Sequence, residues 1–99
     1  MTERNPTVLE EAQALVYGDR QNEYGHPRKN MRAIALSWNA YLKARKERRP
    51  GDILEVEDVA AMLLLMKVAR FATGSVKRDT VADMAGYVAV LSRVLEIDE

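Results

Sequence analysis

One unbroken apolar run, from Val59 to Met66, constrains the fold of this chain more than any other feature of its sequence. The run reads Val-Ala-Ala-Met-Leu-Leu-Leu-Met, so a helix formed from it is apolar on every side. Such a helix is stable in water only when other elements surround it, and this run is far too short to span a bilayer. We therefore expect a central helix over about residues 55–72 of a soluble helical domain.

Three further helices are predicted around this central one. Thr7 and Glu10 have the spacing of a capping box, and Gly18 suits a helix end. No segment alternates apolar and polar residues in the manner of a strand. The predicted helices cover roughly residues 8–17, 27 or 28 to 48, 55–72, and 77–79 to 97. The predicted fold class is therefore all-α: a four-helix, bundle-like single domain over residues 1–99.

The charge and cysteine content exclude several classes of function. Fifteen basic and fifteen acidic residues cancel, and there is no cysteine. A chain without net charge has no global field that favours nucleic acid or an anionic membrane. The lack of cysteine excludes zinc fingers and disulfide frameworks. Because the first six residues lack the basic and apolar blocks of a signal peptide, the expected location is the cytoplasm.

The most distinctive local pattern joins the last two predicted helices. Asp79, Asp83 and Tyr87 stand at i, i+4 and i+8, so their side chains form a row on one helix face. Two carboxylates one turn apart repel each other and need a compensating cation. Lys67 and Arg70, near the end of the preceding helix, should meet them across a short connection. We call Lys67, Arg70, Asp79 and Asp83 the charged cluster.

The charged cluster supports two interpretations. In the first, the two basic residues bridge the two acids and pin the helices together. In the second, Asp79 and Asp83 hold Mg²⁺, which prefers oxygen ligands, while Lys67 and Arg70 bind phosphate oxygens. Tyr87, in the same row, is then a further candidate for ligand contact. Arg70 can serve in both, as an anchor between the helices and as a ligand for phosphate.

The predicted loop over residues 19–27 is the second candidate for function, because it is rich in charged, amide and aromatic groups. Arg20 could bind phosphate, Tyr24 could stack on a base, and His26 could donate a hydrogen bond or a proton near neutral pH. The alternative is a connecting loop in which Asp19 pairs with Arg20 and Tyr24 packs on the core.

Two other charged segments are interpreted as solvated helix ends. Acidic residues crowd the start of the third helix, where the helix dipole favours them; they are Glu55, Glu57 and Asp58. Basic residues crowd the end of the second helix, where the dipole favours cations; they are Lys43, Arg45, Lys46, Arg48 and Arg49. Asp58 could join a metal site with Asp79 and Asp83 only if helix packing brought it close to them. It lies far from Lys67 along the axis of the third helix, which makes this difficult.

Several motifs together resemble a family of small phage and prophage proteins of unknown function, over nearly the whole chain. They are Leu9-Glu10-Glu11-Ala12, Gly18-Asp19-Arg20, Tyr24-Gly25-His26-Pro27, Glu57-Asp58-Val59-Ala60, Lys67-Val68-Ala69-Arg70, Arg78-Asp79 and Asp83-Met84-Ala85-Gly86-Tyr87. The resemblance implies a location in the host cytoplasm if the gene is carried by a phage. It implies no particular activity.

A more distant resemblance is to the MazG-like, all-α nucleoside triphosphate pyrophosphohydrolases. These enzymes use Mg²⁺ held by Glu-x-x-Glu and Glu-x-x-Asp motifs on adjacent helices. Asp83 matches the last acid of the second motif, whereas Thr80 stands at the place of its glutamate. Lys67 and Arg70 stand where the other carboxylate pair would be. Binding without turnover is therefore an alternative to hydrolysis.

The leading prediction is a MazG-like protein that binds a nucleotide or another phosphate-bearing small molecule, with Mg²⁺-dependent pyrophosphohydrolysis as the activity that the resemblance implies. The rival is a non-enzymatic helical phage protein that binds a protein partner, with a purely structural charged cluster. Either would form a homo-oligomer, because the last helix has a second apolar face, with Tyr87, Val90 and Val94, roughly opposite its first. The first apolar face carries Val81, Met84, Ala85, Val88, Leu91 and Leu95. Asp79 and Asp83 fall on the second face, which we therefore expect to be partly buried. A lone domain would leave Val90 and Val94 on that face partly exposed.

Overall fold

The chain folds into helices whose starts are set by short-range capping. The computed structural model describes residues 5–18, 26–74 and 76–96, and this part of the chain contains no strand. The helices are α1 (Val8–Tyr17), α2 (Pro27–Arg48), α3 (Val56–Thr73) and α4 (Arg78–Glu96). The predicted all-α class is confirmed, and the predicted bounds agree within one or two residues.

Each of the first three helices begins at a polar group that satisfies a free backbone N–H. At α1, the Thr7 hydroxyl accepts from the backbone N–H of Glu10 at 3.2 Å, and the Glu10 carboxylate accepts from the backbone N–H of Thr7 at 3.1 Å. The predicted capping box is therefore present. At α3, the backbone N–H of Glu55 donates to Oδ2 of Asp58 at 2.8 Å.

The central position predicted for the apolar helix is confirmed, since α3 packs against both α2 and α4. The indole N–H of Trp38 donates to the backbone carbonyl of Met62 at 2.7 Å and ties α2 to α3. The buried apolar side chains lie on these two helices: Ile34, Ala60, Met62 and Ala69. This core is small for a chain of 99 residues.

A buried carboxylate, that of Asp58, joins the C-terminal end of α2 to the N-terminal end of α3. Asp58 has no exposed surface, and its oxygens accept from the Tyr41 hydroxyl at 2.6 Å and from Nε of Arg45 at 2.9 Å. Arg49 donates to the same carboxylate. Arg45 also donates to the backbone carbonyls of the connecting turn, which includes Gly51 at 3.2 Å. The carboxylate therefore fixes both the helix pair and the turn between them.

This arrangement corrects two sequence predictions. The acids at the start of α3 and the basic residues at the end of α2 were expected to be solvated, but Asp58 is fully buried and Arg45 is 9% exposed. Tyr41 and Arg45 are four residues apart on one face of α2, and Arg49 follows at the C-cap of this helix, so all three reach α3. Only part of the basic segment stays in solvent, as the exposed ion pair of Lys46 with Asp52 at 2.8 Å illustrates.

The inner face of α4 differs from both apolar faces expected from the sequence. Its less exposed residues form one seam at three- and four-residue spacing: Thr80, Met84, Tyr87, Leu91 and Val94. This seam takes Met84 and Leu91 from the first expected face and Tyr87 and Val94 from the second. Val81, Val88 and Leu95 remain exposed, as does Val90 at 49%.

Helix α1 buries none of its residues. The sequence places apolar residues at three- and four-residue spacing on one stripe of this helix: Val8, Leu9, Ala12, Leu15 and Val16. On this stripe, Val8 is 81% exposed and Leu9 is 76% exposed. The radius of gyration of 17.3 Å exceeds the value of about 13 Å expected for a compact domain of this length. Among the described residues, α1 therefore leaves its apolar stripe exposed.

No helix in the described ranges combines the length and apolar character needed to cross a membrane.

Removing the charge of Asp58 should destabilise the fold strongly. Asp58→Asn should lower the free energy of unfolding by about 3 kcal/mol or more, because the buried Arg45 guanidinium loses its counter-charge. Urea denaturation followed by circular dichroism at pH 7 measures this. The control Asp52→Asn breaks the exposed pair with Lys46 and should leave stability almost unchanged. An equal loss in both variants would contradict the prediction.

The stability of wild type and that of Asp58→Asn should also differ in their dependence on pH. Burial raises the pKa of Asp58, but hydrogen bonds from Tyr41, the Glu55 backbone and two arginines together lower it by more. The pKa of Asp58 therefore lies well below its usual range. Because the folded pKa is depressed, this stabilisation is complete above the unfolded value of about 3.9 and is lost as pH falls below it. Wild type should therefore lose stability more steeply than Asp58→Asn below about pH 4, and parallel curves would argue against the account.

Candidate functional site

The charged cluster lies where α3 ends and α4 begins. The short connection between Thr73 and Arg78 makes the two helices antiparallel neighbours. Nζ of Lys67 lies 3.0 Å from Oδ2 of Asp83, with the lysine side chain 15% exposed and the carboxylate 52% exposed. The predicted meeting of the two helices through opposite charges is therefore present for one of the two pairs.

The other two members of the cluster do not pair. Arg70 is partly exposed and Asp79 is exposed, and no ion pair or side-chain hydrogen bond among the described residues engages either of them. The acids were also expected on a partly buried face. Instead Thr80, at 6% exposure, is the buried residue of the first turn, so both carboxylates lie toward solvent.

The start of α2 lies at the same end of the molecule as the charged cluster. The hydrogen bonds of Trp38 to Met62 and of Tyr41 to Asp58 set an antiparallel register for α2 and α3. Because both helices rise equally per residue, eight residues back from Trp38 is level with eight residues on from Met62. Asn30 is thus level with Arg70.

The remaining predicted site residues have different outcomes. His26 is the N-cap of α2, and its Nδ1 accepts from the backbone N–H of Arg28 at 3.1 Å. This bond uses one ring nitrogen for capping. Tyr87 is half-buried in the seam of α4. The predictions for Arg20 and Tyr24 fall outside the described residues.

A metal cage made only of protein groups is not what the cluster offers. Among the described residues, no three His, Asp or Glu side chains come together closely enough to hold a metal ion. Asp79 and Asp83 are nevertheless one helical turn apart on the same face. Mg²⁺ in nucleotide sites is commonly held by one or two carboxylates together with substrate phosphates and water, so this donor set fits such an ion.

A buried amide at this end of α2 was missed by the sequence analysis. Asn30 is 6% exposed, and its Oδ1 receives no hydrogen bond. It continues the stripe of Ile34 and Trp38 that faces α3. The sequence signal that could have identified it is its spacing, since Asn30 precedes Ile34 by four residues and Trp38 by eight and so lies on the same stripe of α2.

A cleft at the opposite end of the molecule also escaped the sequence analysis. It has a volume of about 460 Å³ and lies beside the turn between α2 and α3, where Leu42, Lys43, Lys46 and Leu54 line it. Its wall combines apolar side chains with basic and acidic ones. This end is some twelve residues along α2 from Asn30, so the cleft is separate from the charged cluster.

Comparison with known proteins shows that the chain is similar to two phage proteins. The Gene 55 protein of Mycobacterium phage D29 is 43% identical over 90 residues, which are 91% of this chain and 54% of that protein. The Gene 55 protein of Mycobacterium phage L5 is 39% identical over 88 residues, which are 89% of this chain and 52% of that protein. The chain spans about half the length of these relatives.

No solved structure matches the chain. A family model described as a domain of unknown function, DUF6378, matches residues 7–95. Together with the phage relatives, this match confirms the predicted kind of family, while the likeness to MazG stays a prediction. The chain belongs to the DUF6378 family of unknown function.

Proposed function

We propose that this protein binds a nucleotide through its phosphates at the charged cluster. The observation that carries the proposal is the unpaired state of Arg70 and Asp79 beside the Lys67–Asp83 ion pair. A cluster that served only to pin the helices would be expected to use both pairs. Here one cation and one carboxylate remain available to a ligand.

Arg70 suits the phosphate role by its chemistry and its place. A guanidinium offers a planar fork of donors that matches two phosphate oxygens. It lies level with the start of α2 and close to the start of α4, and helix N-termini favour anions. Lys67, which is held by Asp83 at 3.0 Å, adds a second positive charge nearby. Together they can neutralise part of a polyphosphate.

Asp79 and Asp83 would hold Mg²⁺ in this proposal. Asp79 is exposed, and Asp83 keeps its Oδ1 available while Oδ2 contacts Lys67. When bound, the ion would neutralise phosphate charge and, in the pyrophosphohydrolase that the MazG likeness suggests, activate a water. The protein's own contribution is to bind the phosphates with Lys67 and Arg70, which also stabilises negative charge as it develops.

A second candidate function is supported by a different observation, the exposed apolar stripe of α1. A helical module that associates with a second copy would cover this stripe and the exposed residues of α4, such as Val90 at 49%. In the non-enzymatic form of this proposal, the complex binds a protein partner, and Lys67–Asp83 is only a clasp between helices. Self-association itself is compatible with nucleotide binding.

Among single side chains, Arg70 should contribute the most to phosphate affinity. Arg70→Ala should weaken binding of nucleoside triphosphate with Mg²⁺ by about tenfold or more, the loss expected for a charge-assisted bidentate contact. Arg70→Lys should restore only part of it, because lysine keeps the charge but not the fork. The measurement is isothermal titration calorimetry, with Arg93→Ala on the exposed side of α4 as control.

The same proteins separate the two candidate functions. Wild type is incubated with a panel of nucleoside triphosphates and Mg²⁺, and ligand-induced thermal shifts and pyrophosphate release are measured. A thermal shift without pyrophosphate indicates binding without turnover. If no nucleotide gives either signal, nucleotide binding is wrong and the clasp interpretation stands.

Self-association should depend on the apolar face of α1. Wild type should sediment as a dimer or larger at micromolar concentration, and Leu9→Glu should shift it toward monomer, because a charge at a 76% exposed position costs little in a monomer but much in an interface. Ala14→Glu, on the opposite side of the same helix, should keep the oligomer. A monomeric wild type in sedimentation velocity would contradict the prediction.

A further inference from the structure

Asn30 has a buried side-chain oxygen that nothing in the described chain satisfies. The residue is 6% exposed, and Oδ1 receives no hydrogen bond. A buried carbonyl oxygen without a donor destabilises a folded protein, because it has lost its hydrogen bonds to water and gained none in return. Such groups therefore call for a specific explanation, of which a bound water or a ligand are the usual ones.

The position of Asn30 links this oxygen to the charged cluster. It belongs to the stripe of α2 that faces α3, one turn before Ile34, and the register set by Trp38 and Met62 makes it level with Arg70. The amide and the unpaired guanidinium are thus at the same end of the α2–α3 seam. A ligand whose phosphates bind at the charged cluster would therefore lie in the same region of the molecule as the Asn30 amide.

The chemistry of the oxygen selects which part of such a ligand it meets. A carbonyl oxygen only accepts, so it needs an N–H or O–H donor. Ionised phosphate oxygens are acceptors and cannot supply one. A ribose hydroxyl or the amino or imino group of a nucleobase can. The planar carboxamide favours the base, because it offers an acceptor beside a donor, the pattern with which asparagine contacts a base edge through two bonds.

We propose that Asn30 binds the base of the nucleotide whose phosphates the charged cluster holds. This inference rests on the proposed function and adds the residue that recognises the ligand as a nucleotide rather than as a polyphosphate. Arg70 binds the phosphates, whereas Asn30 binds the base edge. The two contributions are separable, because inorganic tripolyphosphate has the phosphates and no base.

The test compares nucleoside triphosphates with tripolyphosphate, in the presence of Mg²⁺, by isothermal titration calorimetry. Wild type should bind at least one nucleoside triphosphate about tenfold or more tightly than tripolyphosphate, the value of one bidentate base contact. Asn30→Leu should abolish that preference and leave tripolyphosphate affinity within about twofold, since it removes no charge. Asn30→Asp, which keeps acceptors and loses the donor, should reduce the preference.

The control is Asn39→Leu, the same substitution at an exposed asparagine of the same helix, which should keep the preference. Circular dichroism and thermal unfolding check the fold, and Asn30→Leu should melt no lower than wild type, because it replaces an unsatisfied amide with an apolar group of similar size. If that variant does not fold, Asn30→Ala takes its place in the comparison.

The outcomes distinguish the two proposals. Tripolyphosphate binding with an undiminished base preference in the Asn30 variants would overturn the inference and leave the phosphate site intact. Equal affinity of wild type for tripolyphosphate and every nucleoside triphosphate would also overturn it, with a water as the partner of Oδ1. Binding of neither ligand by wild type would mean that the proposed function has failed, and the inference fails with it.

Discussion

The carboxylate of Asp58 is the interaction on which the rest of the described structure depends. It has no exposed surface, so its charge is stabilised only by the groups that donate to it: the Tyr41 hydroxyl, two arginines and the backbone N–H of Glu55. These donors belong to α2 and to the start of α3. They can meet only in one helix register, and that register makes Asn30 level with Arg70 at the far end. A polar network thus fixes the geometry of a distant candidate site.

Such a network matters more here because the apolar core is small. Few large apolar side chains are buried, and those on α1 are exposed. A seam of apolar residues tolerates sliding by a turn at modest cost, whereas a buried ion network does not, since any slip leaves a charge unpaired. Register in this protein is therefore set by polar contacts, and the exposed apolar stripes remain available to a second copy.

The helices could be predicted from the sequence because their causes are local. The capping box of Thr7 and the apolar run after Asp58 each act within a few residues. The burial of Asp58 could not be predicted, since acids at a helix start are usually solvated and only the pairing of α2 with α3 brings Arg45 to it. At the candidate site, the contact of Lys67 with Asp83 followed from a short connection, but the buried Asn30 depends on a register that spacing alone does not fix.

The central claim is that a phosphate ligand binds at the charged cluster, at the end of the molecule opposite Asp58. Amide chemical-shift mapping of ¹⁵N-labelled protein during titration with a nucleoside triphosphate and Mg²⁺ tests this most directly. The account predicts that the largest changes fall on Lys67, Arg70, Asp79 and Asp83, with Asn30 among the affected residues. Changes centred on the cleft beside Leu42 and Leu54, or no changes at all, would contradict it.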